Sequence, residues 1–231
     1  GHRNTEVTLS NTPNTDYIFK EYEISGSNLY NTNKFKFKES DVIVHAKWYK
    51  PDPYNPLNLP PYTIRLKYSN GVTPSFSNGT GVQVSQSPNV WDLTYENTNW
   101  YRVLLGHTNL LEVLGANTSN VISMESMFHD CNDLTTVPLF DTSKVTNMEF
   151  MFQWCRNLTS VPLFDTSKVT NMRDMFASCV SLTSVPLFNT SKVTDMEGMF
   201  ASCYSLTFVP LFNTSKVTDM YYMCEDCINV Q

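Results

Sequence analysis

A 24-residue period governs more than half of this chain and leaves little choice of architecture. Cys131, Cys155, Cys179, Cys203 and Cys227 stand 24 residues apart. Val137-Pro138-Leu139-Phe140 returns at 161–164, 185–188 and 209–212, each time followed closely by Thr-Ser-Lys-Val-Thr. Met-x-x-Met-Phe opens at Met148, Met172 and Met196. An earlier, degenerate copy keeps Leu110, Val113, Val121, Met124, Met127 and Phe128 in register, with His107 in the Cys slot and Leu114 in the Pro slot. Units this short cannot each bury a core alone. They must stack on one another, and atypical copies belong at the ends.

Within one unit, Leu158-Thr159-Ser160-Val161 alternates and predicts a short strand. The proline in each Val-Pro pair cannot donate to a ladder and marks that strand's end. Asp165-Thr166-Ser167 is a turn and helix-cap cluster. Val169, Met172, Met175 and Phe176 fall at i, i+3, i+6 and i+7 and predict one face of a short helix. One strand and one helical turn per unit give an α/β class: a leucine-rich-repeat-like solenoid over residues 107–231.

Ahead of the repeats, residues 62–106 predict a β-rich N-terminal cap for the solenoid's open end. Tyr62–Tyr68 alternates, Asn70-Gly71 signals a hairpin turn, residues 81–85 offer the partner strand, and 97–105 predict a helix. Residues 51–61, with five prolines, read as a stiff linker. Residues 1–50 predict a small all-β module, with β segments at 7–9, 17–19, 22–24, 35–37 and 42–46. Gly1-His2 reads as a scar joined to a mature chain. An export signal or anchor is then expected ahead of this numbering, while the last coil, uncapped at Gln231, leaves two alternatives: further chain, or an edge that pairs with another chain.

Charge limits the partners. Residues 1–106 carry 10 Lys+Arg against 9 Asp+Glu, and residues 107–231 carry 6 against 13. A C-terminal half with net charge -7 argues against nucleic acid and offers nothing to an anionic membrane. There is no apolar run long enough to span a bilayer.

Chemistry-bearing residues read mainly as structure. Cysteines in register point the same way along a stack, so a ladder of buried thiols is expected rather than a disulfide framework. Cys224 and Cys227 form an isolated Cys-x-x-C, with no second pair to complete a zinc site and a local bridge left open. The methionines lie on the apolar face. His2, His45, His107 and His129 fall in separate elements, which suggests no triad. Lys144, Lys168, Lys192 and Lys216 form a column. A basic stripe can bind an anionic glycan, but Asp141 and Asp165 lie three residues before two of these lysines, so a solvated, locally paired column is expected. No phosphate loop, dinucleotide fingerprint, zinc-protease or calcium-loop motif occurs. No cofactor, no metal and no enzymatic activity are expected.

The Met-Phe-x-x-Cys-x-x-Leu-Thr-x-Val and Asp-Thr-Ser-x-Val-Thr-x-Met patterns over 107–231 resemble the BspA-like leucine-rich repeats of bacterial surface proteins. The order Val-Thr-Leu, Tyr-x-Phe, Asp-Val-x-Val-x-Ala-Lys-Trp over residues 7–48 resembles a divergent internalin-B-type β repeat. Tyr22 stands where that module carries Trp, and its first strand is missing before Val7. These resemblances imply a cell-surface or secreted bacterial protein that mediates adhesion.

Differences between copies indicate where a ligand would sit. Core and turn positions hardly vary. The slots after the first Met, the Phe and the Cys do, and they hold Phe150, Trp154, Arg156, Arg173, Tyr204, Tyr221 and Tyr222. These are the candidate binding surface, expected on the outward helical side, with an extracellular protein or glycan as ligand. The rival surface is the Thr159, Thr183 and Thr207 ladder on the strand side. The alternative roles are a spacer that projects another domain and, with less support, a subunit of a glycan-processing enzyme.

Overall fold

A computed structural model describes the strand backbones within residues 1–49, and residues 55, 57–76 and 79–230 in full. The chain divides into two compact units, 1–52 and 53–231.

In the first unit, β1 (Thr5–Thr8) pairs antiparallel with β3 (Lys34–Phe37). β2 (Ile18–Ser25) pairs antiparallel with β4 (Ile43–Tyr49). The two segments expected at 17–19 and 22–24 are one strand, with an irregularity between Phe19 and Glu21. The turns expected around Gly26 and 28–33 lie outside the described residues.

The second unit opens on a four-stranded antiparallel sheet in the order β6-β7-β5-β8. Its strands are β5 (Thr63–Tyr68), β6 (Thr80–Gln86), β7 (Asn89–Thr94) and β8 (Leu110–Ala116). Asn70-Gly71 does turn the chain, with Val72 N–H bonded to the Ser69 carbonyl at 3.3 Å and Gly71 at φ 81. It does not close a hairpin on 81–85, however. The neighbours of β5 are β7 and β8, and β6 lies beyond β7. Buried Asn89 explains the detour: its Nδ2 donates to the carbonyls of Ser69 and Val72, tying the outgoing loop to β7. Leu59 is buried, and its carbonyl accepts from Asn117 Nδ2 at 3.0 Å, which docks the end of the proline-rich segment beside β8.

Beyond β8 the α/β reading fails. The described residues contain no helix, and the fold is mostly β and turn. The backbone hydrogen bonds explain why. In an α-helix every N–H reaches back four residues. Here alternate N–H groups leave the coil: those of Met124, Ser126, Phe128 and Asp130 donate to the carbonyls of Asn147, Glu149, Met151 and Gln153 in the next coil. The intervening Met127, His129 and Cys131 bond three residues back. The segment is therefore a ribbon of tight turns. Ser126 and Asp130 take positive φ, as do Phe150, Trp154, Asp174, Ser178, Gly198 and Ser202 at the same slots. Two such turns per coil carry positive φ at their third residue, the geometry of a type II turn. The helix expected at 97–105 meets the same end. Trp100, Arg102, Leu104 and Gly106 donate into the following coil, so this segment is already a partial coil.

The predicted strand at 158–161 is only extended chain, with one backbone bond per coil (Thr159 N–H to Thr135 carbonyl, 3.2 Å). Parallel bridging occurs instead at Asn99, Ser123, Asn147, Asn171, Asp195 and Asp219. Successive coils are thus stacked with the expected 24-residue register, but without helices. The core is columnar. Phe128, Phe152, Phe176 and Phe200 stack with centroids 5.4 to 5.7 Å apart. A second Phe column (140, 164, 188, 212) runs beside it at 5.8 to 6.4 Å. No helix among the described residues is long and apolar enough to cross a membrane.

Candidate functional site

The ribbon of turns places the variable slots on the surface. Each turn carries positive φ at its third residue, so the fold asks there for a residue that tolerates the left-handed region; the first such slot is buried at Ser126 and half-buried at Phe150 and Asp174, and the second is half-buried to exposed. Asp, Ser and Gly fill most of these slots. Phe150 (φ 56), Trp154 (φ 64), Tyr222 (φ 57) in the last coil and Arg102 (φ 56) in the first are the exceptions. Trp154 is 45% exposed, with its ring centroid 5.6 Å from that of His129 in the preceding coil. Phe150 is half-buried.

Beside this runs a polar lattice. The Oδ1 atoms of Asn147, Asn171 and Asp195 accept the N–H two residues on, and each closes a local turn. Nδ2 of Asn147 and Asn171 donates to Glu125 and Glu149 of the coil before, both at 3.0 Å. Arg173 reaches the next coil and holds Glu197 in a two-pronged pair, at 2.6 Å and 2.8 Å. Asp174 carries its carboxylate over Gly198, where a Cβ would collide with it. Burial, with the nearby Glu125, lifts the Glu149 carboxyl above its usual range; burial lifts Asp174 likewise.

The seven candidate residues do not converge on one point. Arg173 and Tyr221 share one column, Phe150 and Tyr222 the next, Trp154 a third, and Arg156 and Tyr204 a fourth. Arg156 and Tyr204 are exposed. Tyr221 and Tyr222 are exposed and pack against each other at 4.0 Å. Arg173 is committed to Glu197 rather than free. The surface is a turn face, not the helical face expected. Two of its members, Tyr101 with Arg102 at 4.8 Å in the first coil and His129 against Trp154 in the second, did not emerge from the repeat pattern. Counting 24 residues back from Glu125-Ser126 would have found Tyr101-Arg102.

The rival threonine ladder forms. The hydroxyls of Thr159, Thr183 and Thr207 donate to the carbonyls of Thr135, Thr159 and Thr183. Cys131, Cys155, Cys179 and Cys203 are buried free thiols. Burial pushes all four up, Cys203 to about 12, which leaves little nucleophilic thiolate. Among the described residues no three His, Cys, Asp or Glu side chains are grouped to hold a metal. A cavity of about 290 Å³ lies between the β5 turn and the first coil, lined by Tyr68, Pro74 and His107 among others.

These features define a repeat protein built of stacked 24-residue coils with a β-sheet at one end. The chain belongs to the family described as Mycoplasma protein of unknown function, DUF285, which matches residues 75–180 and 122–231. Among solved structures it is similar to a leucine-rich repeat protein from Eubacterium ventriosum, at 24% identity over 43% of this chain, with a TM-score of 0.33. The match spans 26% of that protein's length. No curated protein matches.

Proposed function

We propose that this chain is a non-enzymatic binding module of an exported bacterial surface protein, holding an extracellular protein or glycan on its turn face. The observation that carries this reading is Trp154. Its slot needs a residue at positive φ, where a side chain bearing Cβ costs roughly 1–2 kcal/mol and Ser or Asp is accommodated more readily than a bulky residue. The neighbouring coils use Asp130 and Ser178 there. A tryptophan adds no core packing that would offset the cost, since nearly half of it faces solvent. What it adds is a rigid aromatic anchor of the kind that dominates recognition surfaces.

The test is a screen of the full chain against extracellular-matrix proteins, mucins and neutral glycans, with the triple variant Phe150→Ala, Trp154→Ala, Tyr204→Ala alongside. A specific ligand lost in the variant supports the turn face. A ligand kept in the variant moves the site to the threonine ladder or the sheet. No ligand at high micromolar concentration overturns the reading and favours a spacer.

A further inference from the structure

The lysine column has a different character from the one its sequence neighbours suggested. Lys144, Lys168, Lys192 and Lys216 are all exposed. Among the described residues none of them forms an ion pair. Lys144 Nζ instead donates to the neutral amide oxygen of Asn120 at 2.9 Å. The acidic residues beside the column are engaged elsewhere. Asp141 Oδ1 accepts from both the N–H and the hydroxyl of Ser143, and Asp165 Oδ1 accepts the N–H of Ser167. That is a turn-closing task which a neutral amide performs equally well. Asn189 and Asn213 do so in the next two coils, bonding Ser191 and Ser215 at 3.1 and 3.0 Å. Ser167, with the nearby Lys168, holds the Asp165 carboxyl below its usual range, so that charge still acts on the column without a contact ion pair; at the same slot beside Lys192 and Lys216 the carboxylate is replaced by neutral Asn189 and Asn213.

Four like charges in consecutive coils, roughly 5 Å apart as in any strand-type stack, repel one another. Nothing in the core or the turn requires a cation at that slot. We propose that this column is a binding track for a linear anionic polysaccharide, one whose sulfate or carboxylate groups recur along a single flexible chain. Three steps of the stack give a track roughly 15 Å long. Exposed Thr146, Thr170, Thr194 and Thr218 run beside the lysines. Their hydroxyls donate to the carbonyls of the coil before, which leaves oxygen lone pairs for sugar hydroxyls.

A single narrow chain fits better than the other polyanions. Residues 107–231 carry a net charge of -7, so a broad anionic surface such as a membrane, or a duplex, would meet repulsion on either side of the track. Single-stranded nucleic acid takes much of its affinity from bases stacked on aromatic rings. The positions flanking the lysines hold Thr, Ser and Val, with no aromatic residue. This proposal does not depend on the turn-face reading, because Phe150, Trp154 and Tyr204 lie in other columns.

The test uses the full chain at two salt concentrations. The probes are heparin, hyaluronan, uncharged dextran, a deoxythymidine oligomer and phosphatidylserine-containing vesicles. Heparin or hyaluronan should bind, with affinity falling as salt rises, and dextran should not. Heparin alone would assign sulfate, and both together would assign anionic groups of either kind. Changing all four lysines to Gln should weaken binding at least tenfold, and changing all four to Arg should preserve it. Phe150→Ala, Trp154→Ala, Tyr204→Ala should bind like the parent, which separates this track from the turn face. If the fourfold Gln variant does not fold, the Lys192→Gln, Lys216→Gln pair should still lower affinity severalfold. The proposal is overturned if neither polysaccharide binds, if the Gln variants bind like the parent, or if the oligomer or vesicles bind as tightly as the polysaccharide.

Discussion

The thiol of Cys155 donates to the carbonyl oxygen of Phe128, 3.0 Å away and 27 residues earlier in the chain. The same bond recurs from Cys179 to Phe152, from Cys203 to Phe176 and from Cys227 to Phe200. Each unit thus gives a second donor to a carbonyl of its neighbour, which already accepts a backbone N–H in its own coil (Cys131 N–H to the Phe128 carbonyl, 3.1 Å), with a side chain small enough to sit in the core. Cys155→Ala should leave the Phe128 carbonyl with the Cys131 N–H alone and open a void of about one sulfur atom. The expected loss is about 1–3 kcal/mol, measured by chemical denaturation. An unchanged midpoint would mean that the thiol contributes no more than a methyl group.

That cysteine column, with its Val, Met and Phe companions, was legible because a fixed period leaves only one register for stacking. The helix was misread for a physical reason. Met172, Met175, Cys179 and Leu182 step mostly by three, and successive three-residue turns satisfy that spacing as well as one helical face does. The distinguishing signal was modest: Asp130, Asp174, Ser178, Gly198 and Ser202 fall at two slots four apart, and these are residue types that tolerate positive φ. Phe150 and Trp154 at those slots obscured it. The β5 pairing was hidden because Asn89, which fixes it, bonds to carbonyls 17 and 20 residues away. That Lys144 and Lys168 make no contact ion pair with Asp141 and Asp165 was hidden for a similar reason, since sequence spacing does not reveal that a turn has already engaged those carboxylates.

His107 occupies the cysteine slot of the first coil and is mostly buried. Its Nδ1 lies 2.6 Å from the Tyr68 hydroxyl, and its ring stacks on Phe76 at 5.6 Å. Burial holds its pKa below the ordinary 6.5. At this residue the folded chain therefore binds fewer protons than the unfolded chain once pH falls below about 6.5, so His107 contributes a loss of stability on acidification. Denaturation at pH 7.5 and 5.5 should show a loss of stability in the parent that is smaller in His107→Gln. His129 is present in both proteins and cancels from the comparison. Equal losses would mean that His107 is not the group responsible.

Gly198 sits at φ 59 beneath the Asp174 carboxylate. Gly198→Ala adds a methyl group where that carboxylate now lies and also places Cβ in the left-handed region. A loss of about 1–3 kcal/mol is expected. Removing the obstruction should recover part of it: Asp174→Ser, Gly198→Ala should be more stable than Gly198→Ala alone. Strict additivity of the two single changes would refute the clash.

Thr142, Thr166 and Thr190 share one slot and are equally buried, yet they are not equivalent. The hydroxyl of Thr166 donates to the Asn189 carbonyl at 2.9 Å, and that of Thr190 to the Asn213 carbonyl at 2.9 Å. The Thr142 hydroxyl is buried with no partner. A buried hydroxyl that makes no bond is a net cost, whereas one that makes a bond contributes about 1 kcal/mol. Valine keeps the shape of threonine and removes only the polar group. Thr142→Val should therefore be neutral or stabilising, while Thr166→Val and Thr190→Val should each cost about 1 kcal/mol. Three denaturation curves decide the matter. Equal destabilisation by all three changes would mean that Thr142 does find an acceptor across the coil, and that the repeat is more regular at this slot than its hydrogen bonds indicate.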